Sequence, residues 1–467
     1  MWPRRDKFPP GPFEGLKGWS FQALNESPLE MFSKPARDYG DIAGVRVVNF
    51  RNIFINHPDL IEEVLVGHPR RYIKGRVLQA NRHVFGEGLL TSEGDFWLRQ
   101  RRLVQPAFHR ARINAYAETM VQYTQRMLEN WRGGEERDVH REMMRLTLQI
   151  VAKTLFDADV ARDAQDVGKS LELLLELGAN FRRTLFVPHW VPTPTNLRIK
   201  REIAFIESIL YRIIAERRAS GRDTGDLLSM LLRAQDEDGS RMTDKQLRDE
   251  TITLFLAGHE TTASSLSWTW WLLAQNPVGE ARLHAELDQV LGGRTPSLED
   301  FPRLRYTANV ITESMRLYPP AWGLARVAIE DHELGGYPVK KGMGVAMAQW
   351  VIHRDPRWYD APEEFRPERW EGDFIKKIPR FAYFPFGGGP RLCIGNNFAL
   401  MEATLILATV AQKYRLRLVP NHPVVPLASI TLRPRHGVRV LLESWRSRPR
   451  ETLPCVSQPT TQAMSAD

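Results

Sequence analysis

Cys393 closes the stretch Phe386-Gly387-Gly388-Gly389-Pro390-Arg391-Leu392-Cys393-Ile394-Gly395, and an apolar run of helical periodicity follows over residues 394–410. This order predicts a cysteine at a helix N-terminus, where unpaired N–H groups and the helix dipole favour negative charge. A thiol so placed should ionise readily, and the thiolate is the form that binds metal. The glycines let a flat ligand approach the backbone, and Arg391 is placed to meet an acidic group on that ligand. Zinc would want several nitrogen or sulfur ligands, whereas the second cysteine, Cys455, is far along the chain. Taken alone, Cys393 reads as a small buried hydrophobe.

A second chemical stretch is Ala257-Gly258-His259-Glu260-Thr261-Thr262. It lies inside one long helix that starts at the capping box Thr243-x-x-Gln246 and stops at Asn276-Pro277. About 32 residues give roughly 48 Å of helix, enough to cross a domain. Gly258 and two threonines predict a local opening of its hydrogen-bond ladder. A hydroxyl beside a carboxyl can relay protons, although a threonine bonding its i−4 carbonyl is the plainer reading. His259 is expected to face outward. Upstream, Trp97 and Arg101 share one face of a basic helix expected over residues 95–112; an indole donor and a guanidinium suit a buried carboxylate.

In order along roughly residues 8–442 stand A-G-x-E-T-T, Glu313-x-x-Arg316, Phe365-Arg366-Pro367-Glu368-Arg369-Trp370 and F-x-x-G-x-R-x-C-x-G. With these four motifs the chain resembles the cytochrome P450 family. The resemblance implies a mainly α fold with a small β region, a large helical domain plus a small β-rich domain around a buried haem b, over residues 1–445. Residues 446–467, with Cys455, are expected to be a disordered tail. Cys393 is then the axial iron ligand, with Phe386, Gly395 and Ala257 against the haem and Trp97, Arg101, Arg326 and Arg391 serving its propionates. Thr261 and Glu260 become the pair that delivers protons to dioxygen. Glu313, Arg316 and Arg369 become a buried salt-bridge triad, beside which Trp370 replaces the family's Phe.

The activity this implies is monooxygenation: one oxygen atom enters an apolar substrate such as a fatty acid, terpenoid or polyketide by hydroxylation or epoxidation, and the other becomes water. Electrons from NAD(P)H would arrive through a separate ferredoxin or flavodoxin with its reductase. The resemblance makes residues 72–95, broken by Gly75, Gly86, Gly88 and Gly94, a roof over the haem. Phe85, Leu90, Leu256, Ala321, Trp322 and Ile430 are the candidate substrate pocket. The rival readings are a peroxygenase, isomerase or dehydratase on the same fold, a haem carrier or sensor, and a helical binding protein without cofactor.

Composition narrows the setting. The 467 residues carry 64 Lys and Arg against 56 Asp and Glu, a net charge of +8. The basic residues are scattered, which argues against nucleic acid. Arg99, Arg102, Arg110, Arg112, Lys376, Lys377 and Arg380 instead suit an acidic electron donor. No apolar signal region opens the chain and no long apolar run spans a membrane. With two cysteines, a reduced, cytoplasmic, monomeric protein is expected. The pattern also predicts a hairpin over residues 42–55, a short helix ending near Val66, and helices over residues 116–214. The last are interrupted by Pro188, Pro192 and Pro194 in an apolar segment containing Leu185, Phe186, Val187 and Trp190; the resemblance makes this segment a lid, which could face substrate or a membrane surface. A short helix over 227–232 in a polar loop (221–239), a turn at Gly335-Gly336, and strands over 345–351 and 416–440 complete the reading.

Overall fold

A computed structural model describes residues 8–12, 28–47, 50–158, 164–179, 187–234 and 241–445. The expected tail with Cys455, Leu185 and Phe186 of the lid, and residues 235–240 of the polar loop lie outside these residues. The longer helices are α1 (Pro28–Tyr39), α2 (Gly94–Val104), α3 (Arg110–Leu128), α4 (Val139–Phe156), α5 (Ala164–Ala179), α6 (Pro194–Ser220), α7 (Asp244–Ala274), α8 (Pro277–Leu291), α9 (Arg305–Leu317) and α10 (Asn396–Ala411). The strands are β1 (Ile42–Val47), β2 (Phe50–Ile55), β3 (Tyr72–Lys74), β4 (Glu136–Asp138), β5 (Leu324–Ala328), β6 (His332–Leu334), β7 (Tyr337–Val339), β8 (Gly344–Met347), β9 (Tyr414–Leu418), β10 (Pro426–Ala428), β11 (Leu432–Pro434) and β12 (Arg439–Ser444).

The molecule is built on α7. Its 31 residues begin at the Thr243 N-cap, whose capping box with Gln246 is complete, and end where Asn276 caps α8 with Pro277 in its first turn. Because α7 is buried on nearly every side, it is a core helix rather than an amphipathic surface one. It packs most heavily on α4, and Gly258 explains how closely: a Cβ there would sit 2.8 Å from Val151 Cγ2. The helix runs through Gly258 without the expected opening of its ladder. Glycine serves packing here, not a break.

The β region forms a five-stranded sheet in the order β1-β2-β8-β5-β3, with the β1–β2 hairpin in register from Ile42–Ile55 to Val47–Phe50. Gly335 and Gly336, both at positive φ (56° and 81°), make the β6–β7 turn, as turns with two left-handed residues demand. A separate core beneath the sheet gathers Ile53, Ile55, Ile61, Val64, Leu65, Phe381 and Phe384. The glycines of the cysteine loop rest on it. A Cβ at Gly388 would overlap the Phe381 ring, and one at Gly389 would overlap the Leu65 carbonyl, at φ +65°.

Three expected elements differ. Pro106 breaks the helix expected over 95–112 into α2, a 3₁₀ turn (Gln105–Phe108) and α3. The segment 72–95 holds β3 and two short helices, Arg76–Ala80 and Arg82–Phe85, before it becomes irregular. Only β8 forms in 345–351, which then turns into the helix Gln349–Ile352.

The Glu313 carboxylate on α9 anchors the segment leading toward the cysteine loop. It accepts bonds from Arg316 Nε and Nη2 (both 2.8 Å), the Arg366 amide (3.0 Å), Arg369 Nε (3.5 Å) and Trp370 Nε1 (2.8 Å). Glu313 and Arg316 are wholly buried. The Trp370 indole thus supplies a donor that the family's Phe lacks. Trp370→Phe should keep the ring contact with Tyr383 but lose a bond to a buried charge, lowering stability by about 1.5–3 kcal/mol. Chemical denaturation of the two proteins measures the difference.

Candidate active site

Cys393 stands two residues ahead of Gly395, the N-cap of α10. The Cys393 amide donates to Phe386 O (3.0 Å), which closes the loop on itself, and the Gly395 amide donates to the sulfur. Burial pushes the thiol up, and the Gly395 amide and Arg101 only partly pull it back. The direction is opposite to the ready ionisation expected from the sequence. The cysteine precedes the helix's first turn, so desolvation outweighs the dipole. A bound metal cation reverses this, because coordination removes the proton. Although surrounded by protein, the Cys393 side chain keeps accessible surface.

Around that loop the cations outnumber the anions. Arg101 Nη1 donates to Leu392 O (3.0 Å), and the Arg391 guanidinium lies 3.9 Å over the Trp97 ring. Arg391 also pairs with Glu93 and donates to Ser92 O (3.1 Å). Arg326 bonds the Ala325 carbonyl (3.0 Å); burial, then repulsion from Arg391, push it down to about 10. Lys74 Nζ donates to Leu89 O and Ser92 O (both 2.9 Å) and is pushed down to about 7, by burial first and Arg391 second. Glu93 and the more distant Glu250 are the acids these groups feel. A ligand with carboxylates beside the thiolate would neutralise this surplus. The residues present therefore fit a haem, with Cys393 at the iron and Arg101, Arg326 and Arg391 at its acidic edge. Among the described residues no group of three or more His, Cys, Asp or Glu is arranged to hold a bare metal ion.

On α7 the middle turn also keeps accessible surface. Ala257 is exposed and Thr261 half-buried, although Leu254, Phe255, Leu256, His259 and Glu260 are buried. Thr261 Oγ1 donates to Ala257 O (2.6 Å), the plainer reading of that hydroxyl. Glu260 Oε1 accepts from Thr431 Oγ1 (2.6 Å) at the β10–β11 turn, and burial raises its carboxyl to about 7. Two residues on, the buried Arg433 binds Glu172 (2.6 Å) and Glu176 (3.4 Å) of α5. His259 corrects the expectation of an outward residue: it is wholly buried toward α4, where Thr147 Oγ1 donates to its carbonyl (3.0 Å) and burial pushes its imidazole down to about 3.

The pocket candidates divide. Leu90, Ala321 and Ile430 keep partial exposure, and Leu256 is nearly buried. Phe85 is wholly buried in the main core, and Trp322 packs edge-on against Phe32 of α1 (5.6 Å) with its Nε1 donating to Ser429 O (2.9 Å). Phe85 offers no surface in this structure, whereas Trp322 stays partly exposed as Leu90, Ala321 and Ile430 do. Of the basic candidates, Arg102, Arg110, Arg112, Lys376, Lys377 and Arg380 are exposed and Arg99 is half-buried; Lys376 pairs with Asp373 (2.7 Å) and Arg380 with Glu62 (3.5 Å). Sequence reasoning missed Lys74, Glu93, Thr431 and Arg433. Lys74, two residues after Tyr72 in the same strand, was the one available signal, since the alternation puts it on the buried Tyr72 face.

Comparison with known proteins agrees with this geometry. The chain belongs to the cytochrome P450 family, which it matches over residues 8–438, and is a monooxygenase of apolar substrates. It is 40% identical over 417 residues to cyclooctatin synthase of Streptomyces melanosporofaciens, covering 88% of this chain and 90% of that protein. It is also 40% identical over 404 residues to cyclooctat-9-en-7-ol 5-monooxygenase of the same organism, covering 85% and 87%. Against pentalenene oxygenase of Streptomyces avermitilis the identity is 35% over 420 residues, covering 89% and 92%.

The raised Glu260 carboxyl has a consequence for stability. The folded protein holds this proton up to about pH 7, whereas the ordinary value is 4.5. Its contribution is full below the unfolded value and is lost as pH rises through the folded one. Glu260→Gln should therefore gain on the parent between pH 4.5 and 7, by about 3 kcal/mol at the upper end, and run parallel above it. Denaturation midpoints across that range check it.

Proposed function

We propose that Cys393 holds the iron of haem b in a single haem domain ending near residue 445, and that the substrate is a terpenoid. Haem, when bound, supplies the redox-active iron at which dioxygen is activated. The observation that carries the cofactor reading is the exposed Cys393 with Arg101 beside it and Arg391 and Arg326 nearby, a cluster in which Glu93 is the main offsetting acid. Arg101, Arg326, Arg391 and Trp97 would hold the cofactor's acidic edge, and Phe386, Gly395 and Ala257 would line its site. The terpenoid reading rests on the relatives' names and on the apolar side chains Leu90, Leu256, Ala321 and Ile430.

Thr261 and Glu260 carry the proton steps. To donate toward oxygen, the Thr261 hydroxyl gives up its bond to Ala257 O. Glu260, still protonated near neutrality and oriented by Thr431, can replace that proton. Electrons come from a separate ferredoxin or flavodoxin with its reductase, drawn from NAD(P)H. The exposed cations Arg102, Arg110 and Arg112 suit such an acidic donor. We place the enzyme in the cytoplasm as a monomer, where a free thiol stays reduced. Among the described residues no helix is long and apolar enough to cross a membrane.

Purified protein should be red, and its reduced carbonyl form should show the red-shifted Soret band of thiolate ligation, absent in Cys393→Ala. A panel of cyclic C15 and C20 terpenoid olefins, fatty acids and polyketide lactones should give the low-to-high spin shift with terpenoids. A shift with fatty acids alone would refute the substrate class. Thr261→Ala should lower product formation about 100-fold while reductant is still consumed. Turnover driven equally well by peroxide would favour the peroxygenase reading.

A further inference from the structure

The glycines of Gly86-Glu87-Gly88 are explained by neither the cysteine loop nor the proton pair. The short helix Arg82–Phe85 stops at Gly86, whose φ of +67° suits glycine. A Cβ on Gly86 would overlap the Asp249 carboxylate, and one on Gly88 would overlap Asp249 O and Thr253 Oγ1. The loop backbone therefore lies directly on α7, one to two turns before Ala257. Two adjacent buried acids receive it: the Glu87 amide donates to Asp249 Oδ2 (2.9 Å) and the Leu89 amide to Glu250 Oε2 (3.0 Å). From the other side Lys74 Nζ holds Leu89 O and Ser92 O, and Arg391 of the cysteine loop also holds Ser92 O. Leu90 is enclosed between these bonds.

The two acids differ. Asp249 is paired with Arg248 (2.7 Å) and Lys245 (2.9 Å). Glu250 is 1% exposed, and its Oε1 has no hydrogen-bond partner among the described residues. Its one bond is to the loop, and Lys74 is the cation it feels. We propose that Glu250 and Lys74 form a clip on the peptide at Leu89, making Glu250 a positioning residue that sets the height of Leu90 above the haem and so the size of ligand admitted there. The clip acts on backbone atoms, so it holds the loop whatever side chain stands at position 90. This inference rests on the haem-thiolate reading.

The test uses haem-loaded protein. Hydrogen exchange of a peptide covering residues 86–92 reports the clip. The ratio of Kd for 4-phenylimidazole to Kd for imidazole, from difference spectra, reports headroom above the iron, because the small ligand cancels effects on the haem itself. Glu250→Ala should speed exchange at Leu89 at least about tenfold and shift the ratio several-fold, while Glu250→Gln, which keeps an acceptor oxygen, stays near the parent. If Glu250→Ala does not yield haem-loaded protein, Gly88→Ala lifts the loop without removing a charge and should shift the same two readouts. Unchanged exchange overturns the clip. Faster exchange with an unchanged ratio overturns its role above the haem, and a Gln variant as damaged as Ala overturns the hydrogen-bond assignment. A parent protein without the thiolate carbonyl band would defeat the haem reading instead.

Discussion

Desolvation of the Cys393 sulfur is the constraint to which the rest of the structure answers. A thiol taken out of water resists ionising, and here one backbone amide and one guanidinium offset only part of that cost. The protein relies on the incoming cofactor for the remainder. Its contribution is to hold sulfur in place beforehand, with the loop closed on the Phe386 carbonyl and its glycines seated on Phe381 and Leu65. The same logic governs the cations around the loop. Arg326 and Lys74 are both pushed toward their neutral forms by burial and by Arg391, a cost that anionic groups of a ligand would relieve.

The framework of that loop is itself electrostatic. Glu313 gathers five donors from α9 and from the segment around Arg366 and Trp370, all in a site with little water. Arg316 also donates to the carbonyls of His353 (2.8 Å), Pro362 (2.6 Å) and Glu364 (3.0 Å), so one ion pair ties down an irregular stretch that has few ladder bonds of its own. Such a pair adds little by its mere presence and much by the penalty for losing one member.

Much of this was legible in the sequence where a local rule and a long-range role coincide. The capping box at Thr243 and the Asn276-Pro277 stop set the bounds of α7, and the Glu313–Arg316–Arg369 cluster formed as expected. What stayed hidden depended on partners distant in the chain. Gly258 looked like a helix breaker because nothing local reveals Val151 against it. His259 looked like a surface residue because the path of α4 is not a local property. Phe85 is an apolar residue near the right motif, but its side chain is committed to the main core. Thr431 became a partner of Glu260 only once the β10–β11 hairpin reached α7.

Arg433 binds this last hairpin to α5 through Glu172 and Glu176, whose side chains are about half-exposed while the guanidinium is buried. Drawing α5 away would take both surface carboxylates from a desolvated cation and leave it only the buried Glu260 within reach, whereas the two carboxylates would lose little by returning to water. The energetic resistance to that displacement is therefore lopsided: it resides in the buried hairpin and not in the exposed carboxylates of α5, and added salt can screen only its outer half.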